Sequence, residues 1–333
     1  MATATLYEEL KSKLADVVPD FELRYKAELA EEILRLKRQR NAVILGHNYM
    51  EPALFHSVPD FTGDSLALCH RAAETDKERI VFCGVRFMAE TAKILNPGKT
   101  VLLPAEEAGC SLAASITAEG VRRLKARHPG VPVVTYINTY AEVKAESDLI
   151  CTSSNAVKMA RMLGEGPIIF APDRHLARWV AQQDGSPELI IWPGTCVVHE
   201  QFSAKRLTQL VVRHPDAEVL AHPECDDAIL AQSDFIASTT GIIQRAVESP
   251  ASTLIIATED GVFHQIRQRA PEKELIQAPG MDESCACNQC PYMRLNTLEK
   301  VYLCLRDLGP EVVVPEPVRL AALRPIEKML SLS

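Results

Sequence analysis

The sequence contains ten cysteines, and their positions decide what chemistry they can support. Cys110 and Cys196 lie in loops that follow apolar strands, and a third such loop carries Cys285, Cys287 and Cys290. Loops beyond the carboxyl ends of parallel strands are where ligands bind. The cysteines inside apolar helix or strand patterns are expected in the core, and these are Cys69, Cys83, Cys151 and Cys304. The loop cysteines are therefore the candidates for metal binding or catalysis.

Polar side chains stand at the ends of three short apolar strands. The pairs are His47 and Tyr49, Tyr136 and Asn138, and His222 and Glu224. A hydroxyl residue then precedes a helical pattern in each segment, and these residues are Ser65, Ser153 and Thr239. Such side chains can bind anions and transfer protons.

These features repeat with one period. His47, Tyr136 and His222 follow one another at intervals of 89 and 86 residues, and the three hydroxyl residues at intervals of 88 and 86. Cys110 and Cys196 are 86 residues apart. A solenoid repeat would be shorter, about 20–50 residues, so each unit is predicted to be a small domain.

Strands and helices alternate through all three units, and the strands are short, continuous Val/Ile/Leu runs. This pattern favours parallel sheets covered on both faces. Strands are predicted at 42–48, 79–84, 100–104, 131–137, 149–152, 167–171, 188–192, 218–221, 234–237, 252–257 and 274–277. Helices are predicted at 64–75, 87–95, 118–127, 155–163, 173–183, 203–213, 225–231, 241–247 and 260–269.

The predicted fold class is α/β, with three homologous αβα domains around a pseudo-threefold axis and an active site at the centre. The predicted divisions are an N-terminal helical segment 1–40, α/β repeats at 41–110, 111–196 and 197–290, and a C-terminal tail 291–333 that packs on the first repeat. Three such repeats would bring their cysteines and polar strand ends to one point.

Composition excludes several classes of protein. The formal net charge of −8 argues against nucleic-acid binding, and 47% hydrophobic with 24% charged residues is ordinary for a globular protein. No apolar run approaches the ~18 residues of a membrane span, and no signal peptide is evident. The sequence predicts a cytoplasmic protein without a membrane partner.

The loop cysteines leave several kinds of site open. Cys287 and Cys290 have the C-x-x-C spacing of a zinc site or a redox dithiol, although no second nearby pair completes a zinc site. The phosphate-binding motifs of Rossmann and P-loop proteins are absent from the sequence. One cysteine per repeat instead indicates an iron–sulfur cluster. With three thiolates, a [4Fe–4S] cluster keeps one iron open to act as a Lewis acid.

The motifs taken together resemble the quinolinate synthase family, the second enzyme of the bacterial-type route from aspartate to NAD. In chain order they are G-H-N-Y, G-D-S, A-G-C-S-L-A, Y-I-N-T, C-T-S-S-N, G-T-C-V-V-H, H-P-E-C, S-T-T-G and C-P-Y-M-R-L-N. The resemblance covers residues from about 41 to 300. It implies three α/β domains and condensation of iminoaspartate with dihydroxyacetone phosphate, which releases phosphate and two waters.

The resemblance also implies a [4Fe–4S] cluster held by three cysteines. Cys110 and Cys196 match the first two ligands, and Cys290 matches the third because it begins the C-P-Y-M-R-L-N stretch. Cys285 and Cys287 stay open as alternatives, since Cys285 lies nearer to the repeat spacing. A redox role for the Cys287/Cys290 pair also stays open.

Catalytic roles follow from the same resemblance. His47 and Tyr49 match the family's substrate histidine and catalytic tyrosine, and Glu224 is the predicted general base. His199, three residues after Cys196, is expected to reach the same cavity and to bind or protonate a leaving oxygen.

The substrates are anionic, and hydroxyls at helix N-termini suit such groups. The predicted substrate-binding residues are His47, Ser65, Tyr136, Asn138, Ser153, His222, Glu224 and Thr239. The competing interpretation of Ser65, Ser153 and Thr239 is simple helix capping. Transient contact with the enzyme that oxidises L-aspartate is a further predicted partnership. The rival functions are an iron–sulfur sensor and a different hydro-lyase that uses the same open-iron chemistry.

Overall fold

The computed structural model describes residues 2–281 and 288–333, with side chains from residue 5 onward. The chain divides into two compact units. The first unit comprises Met1–Gly109 and Pro291–Val314, and the second comprises Cys110–Cys290 and Pro315–Ser333. No helix within the described residues has the length and apolar composition needed to cross a bilayer.

The strands form three four-stranded parallel sheets with one topology. The first unit contains β1 (Ala42–His47), β2 (Phe61–Gly63), β3 (Arg79–Cys83) and β4 (Thr100–Leu102). The second unit contains β5 (Val133–Tyr136), β6 (Leu149–Cys151), β7 (Ile168–Ala171) and β8 (Leu189–Ile191), and then β9 (Glu218–Ala221), β10 (Phe235–Ile236), β11 (Thr253–Ala257) and β12 (Glu274–Gln277). In each sheet the order is second, first, third and fourth strand. The prediction of an α/β fold with three parallel sheets is confirmed.

Helices connect the strands, as parallel pairing requires. In chain order they are α1 (Ala2–Leu14), α2 (Asp20–Gln39), α3 (Pro52–Phe55), α4 (Ser65–Glu74), α5 (Arg86–Leu95), α6 (Ser111–Ala114), α7 (Ala118–Arg127), α8 (Ala141–Lys144), α9 (Ala156–Arg161), α10 (Arg174–Ala181), α11 (Ala204–Arg213), α12 (Asp227–Leu230), α13 (Thr239–Glu248), α14 (Phe263–Arg269), α15 (Leu298–Asp307) and α16 (Glu316–Leu332). Short 3₁₀ turns lie at His199–Gln201, Asp260–Val262 and Met293–Leu295.

The central strands are buried along their whole length. Every residue of β1, β5 and β7 is buried, which explains why these segments read as unbroken apolar runs. In the second unit, Val133 and Ile169 pack with Val121 and Leu124 of α7. Burial of such side chains contributes about 1.5–3 kcal/mol each.

One aspartate in each repeat fixes the start of the edge strand. Asp60, Asp148 and Asp234 accept the backbone N–H of a residue in the first strand of their own sheet, each at 2.8 Å. In return, the backbone N–H of each aspartate donates to the carbonyl oxygen of that same residue. These three aspartates are 88 and 86 residues apart, so they share the period of the repeat.

The C-terminal tail divides at Val314, which differs from the predicted packing. Helix α15 contacts α2 and β3 of the first unit, as expected. Helix α16 instead packs on α8 and β6 of the second unit, so the expectation that residues 316–333 cover the first repeat is wrong. The buried residues Ala322, Ile326 and Met329 form the face of α16 that packs there. The division into four segments and the threefold axis remain predictions.

Candidate functional site

The second unit gathers polar side chains at the carboxyl ends of its strands. Tyr136 is the last residue of β5, and Glu224 lies three residues beyond β9. Thr258 follows β11 directly. His199 opens the 3₁₀ turn after β8, three residues past Cys196. In parallel sheets, ligands bind beyond the carboxyl ends of the strands, which is where these residues lie.

Glu224 is the centre of a hydrogen-bond network. Its Oε1 accepts a bond from the Tyr136 hydroxyl at 2.5 Å, and its Oε2 lies 3.0 Å from Nδ1 of His199. The other ring nitrogen of His199, Nε2, lies 3.0 Å from Oγ1 of Thr258. Glu224 and His199 are each only 3% exposed, so this network is protected from water. Hydrogen bonds to charged groups at such sites are stronger than bonds in solvent.

The Glu224 carboxylate is held in its ionised form. Burial by itself would raise the pKa of Glu224, but the nearby His222 and hydrogen bonds from His199 and Tyr136 outweigh it. The net effect places the pKa of Glu224 well below its usual range. The residue is therefore a charged proton acceptor in a buried position.

Two strand-end histidines have the same local geometry. In the second unit, Nδ1 of His222 accepts the backbone N–H of Glu224 at 3.3 Å, and its ring stacks on His199 with centroids 4.6 Å apart. In the first unit, Nδ1 of His47 accepts the backbone N–H of Tyr49 at 3.2 Å. Because Nδ1 is an acceptor, the neutral ring of each carries its hydrogen on Nε2. The first and third repeats therefore share this arrangement of the strand-end histidine.

Cys110, Cys196 and Cys290 belong to the second unit, and each is partly buried. Burial first, with a smaller contribution from the nearby Cys290, raises the pKa of Cys110 to about 12. The pKa of Cys196 is raised by burial first, then by Glu224 and by the other two thiols. Cys110 and Cys196 therefore resist ionisation, and a positive centre would be needed to convert them to thiolates. Soft sulfur donors of this kind fit an iron–sulfur cluster.

The loops that carry these cysteines are anchored in related ways. The Arg174 N–H donates to the carbonyl oxygen of Gly194, two residues before Cys196, at 2.9 Å. In the third repeat, the fully buried Glu259 accepts the backbone N–H of Cys290 at 3.1 Å. The hydroxyl of Ser111, next to Cys110, accepts the backbone N–H of Val197 at 3.2 Å. Each of the three loops is therefore anchored by a hydrogen bond at its cysteine or within two residues of it.

The three predicted hydroxyl residues are not the helix caps. Asp64 caps α4 and Ser238 caps α13, each through its side-chain oxygen, so Ser65 and Thr239 occupy the first helical position. In the second repeat, Asn155 precedes α9 and its Oδ1 accepts the Thr152 N–H at 2.7 Å. The capping interpretation of Ser65, Ser153 and Thr239 is therefore wrong. The caps lie one residue before Ser65 and Thr239, and two residues after Ser153.

Asn138 is the other predicted binding residue with an informative environment. Its Oδ1 is buried and has no hydrogen-bond partner among the described residues. A buried, unsatisfied amide oxygen costs about 1–3 kcal/mol, so such an atom is typical of a site that a ligand completes.

The structure brings together Tyr136, His199, His222, Glu224 and Thr258 within the second unit, together with the three cysteines. His47, Tyr49 and Ser65 lie in the first unit, where His47 and Tyr49 contact each other with ring centroids 4.7 Å apart. Cys285 and Cys287, the alternative third ligands, lie outside the described residues. The predicted roles of all these residues remain predictions.

Sequence reasoning missed three buried polar residues of this region. Thr258 orients His199, and Glu259 binds the Cys290 backbone. Asp173, fully buried, caps α10, and its pKa is raised by burial first and by repulsion from Glu224 second. Asp173 and Glu259 are 86 residues apart, so the repeat period was the signal that could have revealed them.

Comparisons with known proteins show the family to which this chain belongs. A family model described as quinolinate synthetase A protein matches residues 31–331. A relative from Synechococcus sp., named quinolinate synthase, is 56% identical over 308 residues, which is 92% of this chain and 96% of the relative. Relatives of the same name from Trichodesmium erythraeum and Chloroherpeton thalassium are each 52% identical over 92% of this chain, covering 94% and 95% of their own lengths. The chain therefore belongs to the quinolinate synthase family of enzymes.

Proposed function

We propose that this protein condenses iminoaspartate with dihydroxyacetone phosphate to form quinolinate, phosphate and two waters in the biosynthesis of NAD. The observation that carries the proposal is the family match over residues 31–331. The buried network around Glu224 supports it, because ring closure and dehydration require repeated proton transfers at one protected place.

Cys110, Cys196 and Cys290 would hold a [4Fe–4S] cluster. The support is their position in one unit, the mutual effect of the three thiols on pKa, and the softness of the donors. With only three cysteine ligands, the bound cluster supplies a Lewis acid for a substrate oxygen.

Glu224 would act as the general base. Its carboxylate is ionised in a buried position, and the Tyr136 hydroxyl fixes the orientation of Oε1. Oε2 lies 3.0 Å from Nδ1 of His199, so the two side chains would exchange the proton of this hydrogen bond. His199 would then protonate the leaving oxygen during dehydration, with Thr258 holding its ring in place. Tyr49 would serve as the second proton-transfer group.

The anionic groups of the substrates would be bound by individual hydrogen-bond donors and not by a general positive surface. The proposed donors are the Nε2–H groups of His47 and His222, the hydroxyls of Ser65, Ser153 and Thr239, and the side chains of Tyr136 and Asn138. Ser65 and Thr239 stand at the first position of ten-residue helices, where the helix dipole favours negative charge.

Iminoaspartate is unstable, so transient contact with the enzyme that oxidises L-aspartate would favour its delivery. We also propose a cytoplasmic location. Its support is that the described cysteines form no disulfide with one another, as is usual in a reducing compartment.

The direct test is an anaerobic assay of quinolinate from iminoaspartate and dihydroxyacetone phosphate. The parent is expected to form quinolinate, and Glu224→Gln to lower kcat at least 100-fold while its iron content stays unchanged. Glu165→Gln, at an exposed surface position, is the matched control. Absence of quinolinate from iron-loaded parent would contradict the proposal, and formation of another dehydration product would identify a different hydro-lyase.

A further inference from the structure

Three donor atoms of different chemistry converge beside the cysteine sites. Cys196 Sγ, His199 Nδ1 and a Glu224 carboxylate oxygen all lie within 4.8 Å of one another. Nδ1 is 3.4 Å from the sulfur and 3.0 Å from Oε2. The Glu200 N–H donates to the carbonyl oxygen of Cys196 at 3.0 Å, and this bond closes the turn that brings His199 back beside the thiol.

These distances are close to those between neighbouring ligand atoms around a single tetrahedral metal ion. With Zn–S near 2.3 Å and Zn–N or Zn–O near 2.0–2.1 Å, neighbouring donors lie about 3.3–3.6 Å apart. The two measured distances are within about 0.4 Å of that range. An ion could therefore be bound with small side-chain movements.

The surroundings already orient two of the donors. Thr258 contacts Nε2 of His199, and the Tyr136 hydroxyl binds the distal oxygen of Glu224. Because these partners occupy Nε2 and Oε1, the atoms left to bind a metal ion are Nδ1 and Oε2. Within the described residues, no other group of three Cys, His, Asp or Glu side chains has this geometry.

We propose that the cluster-free protein binds one divalent cation of the zinc class through Cys196, His199 and Glu224. Sulfur, imidazole and carboxylate donors are all typical zinc ligands, and three protein ligands leave a fourth position for water. Binding releases the thiol proton of Cys196 to solvent. The inference goes beyond the proposed function, because it concerns the protein before its cluster is present and uses His199 and Glu224 as ligands.

Cys196 belongs to both sites, so the cation and the cluster exclude each other. Zinc bound at this site would therefore block cluster assembly, although it occupies neither Cys110 nor Cys290. The two ligand sets predict different responses to substitution, because the cluster needs three cysteines and the single ion needs only one.

The test uses the full chain after anaerobic removal of iron by a chelator, titrated with Co²⁺ as a coloured substitute for zinc. We expect one Co²⁺ per chain with a thiolate-to-cobalt absorption band. His199→Gln and Glu224→Gln should weaken binding at least 100-fold yet still accept a cluster when iron and sulfide are supplied. Cys110→Ser and Cys290→Ser are the matched controls, and should bind Co²⁺ like the parent yet fail to hold the cluster.

Three results would overturn the inference. They are no Co²⁺ binding by the parent, undiminished binding by His199→Gln and Glu224→Gln, and loss of binding in Cys110→Ser or Cys290→Ser. Undiminished binding in the first two variants would place the ion elsewhere, for example at Cys287 and Cys290. None of these results depends on quinolinate formation, so this inference and the proposed function can fail separately.

Discussion

At the scale of single residues, the contact between Tyr136 and Glu224 joins two repeats. The two residues are 88 positions apart in sequence, and the structure places the hydroxyl 2.5 Å from the carboxylate. Sequence reasoning placed each at the end of a strand, because apolar runs reveal where strands stop. It could not reveal the bond between them, since that bond depends on how two separate sheets approach each other inside the second unit.

Replacing Tyr136 by phenylalanine should impair catalysis more than stability. The ring still fills its buried position, but Glu224 loses a hydrogen bond to its charged form, worth about 1.5–3 kcal/mol. We expect kcat/KM for quinolinate formation to fall roughly 10- to 150-fold at equal iron content. Tyr302→Phe on α15 is the matched control. A variant whose kcat/KM stayed within about twofold of the parent would show that the bond has no role in the reaction.

His56, which follows α3, should make stability depend on pH. Burial first, and the charge of Lys13 second, lower the pKa of His56 from its ordinary 6.5 to about 4. Between these values the unfolded chain binds a proton that the folded chain does not, so the free energy of unfolding decreases as the pH falls from 6.5 to 4. Solvent still reaches part of the ring, so we expect a contribution of about 1–2 kcal/mol.

The measurement is the unfolding midpoint from pH 7 to pH 4 for the parent and for His56→Gln. The parent should lose more stability across this range than the variant. His128→Gln, at the end of α7, controls for the general effect of removing a histidine. If the unfolding midpoint changed with pH in the same way for the parent and His56→Gln, the assignment of this pH dependence to His56 would be contradicted.

At the scale of elements, the apolar strands were predicted correctly, including the two-residue β10, and β2 and three short helices were missed. β2 escaped prediction because Phe61–Gly63 is short, exposed and without an apolar run. Helices α3, α6 and α8 are each four residues long and were missed, whereas the equally short α12 falls within the predicted helix 225–231. Helix α16 was not predicted, and the tail that contains it was assigned to the wrong unit, since a sequence stripe does not show on which surface a helix packs.

The repeated aspartates give a prediction about strand anchoring. Asp148→Ala removes the acceptor for the buried Val133 N–H, and should lower the free energy of unfolding by about 0.5–1.5 kcal/mol. Asp148→Asn keeps an acceptor oxygen and should lose less. Denaturant unfolding of both variants, with the exposed Asp216→Ala as control, measures the difference. Equal losses for alanine and asparagine would mean that the hydrogen bond contributes little.

Helix α16 offers a matched pair of substitutions on one element. Ile326 is fully buried, whereas Leu320 is 51% exposed. Ile326→Ala should cost about 2–5 kcal/mol through lost burial and the cavity left behind, and Leu320→Ala should cost well under that. Thermal unfolding of the two variants tests the packing of the helix. Equal stability of both would show that α16 does not contribute to the fold of the second unit.

At the scale of the whole molecule, the period of the sequence was the strongest predictor. It indicated three like units, and the structure contains three sheets with the same strand order, capped by the same aspartates. It also located the loops that carry Cys110 and Cys196. The third loop is longer, so the period alone could not choose among Cys285, Cys287 and Cys290.

The central claim is that three cysteines hold a [4Fe–4S] cluster on which quinolinate formation depends. The most direct measurement is iron, sulfide and quinolinate in anaerobically purified parent, Cys110→Ala and the core control Cys304→Ala. We predict about four irons and four sulfides per chain with quinolinate formed in the parent and in Cys304→Ala, and loss of both cluster and product in Cys110→Ala. One zinc per chain with no quinolinate, or a full cluster in Cys110→Ala, would contradict the claim.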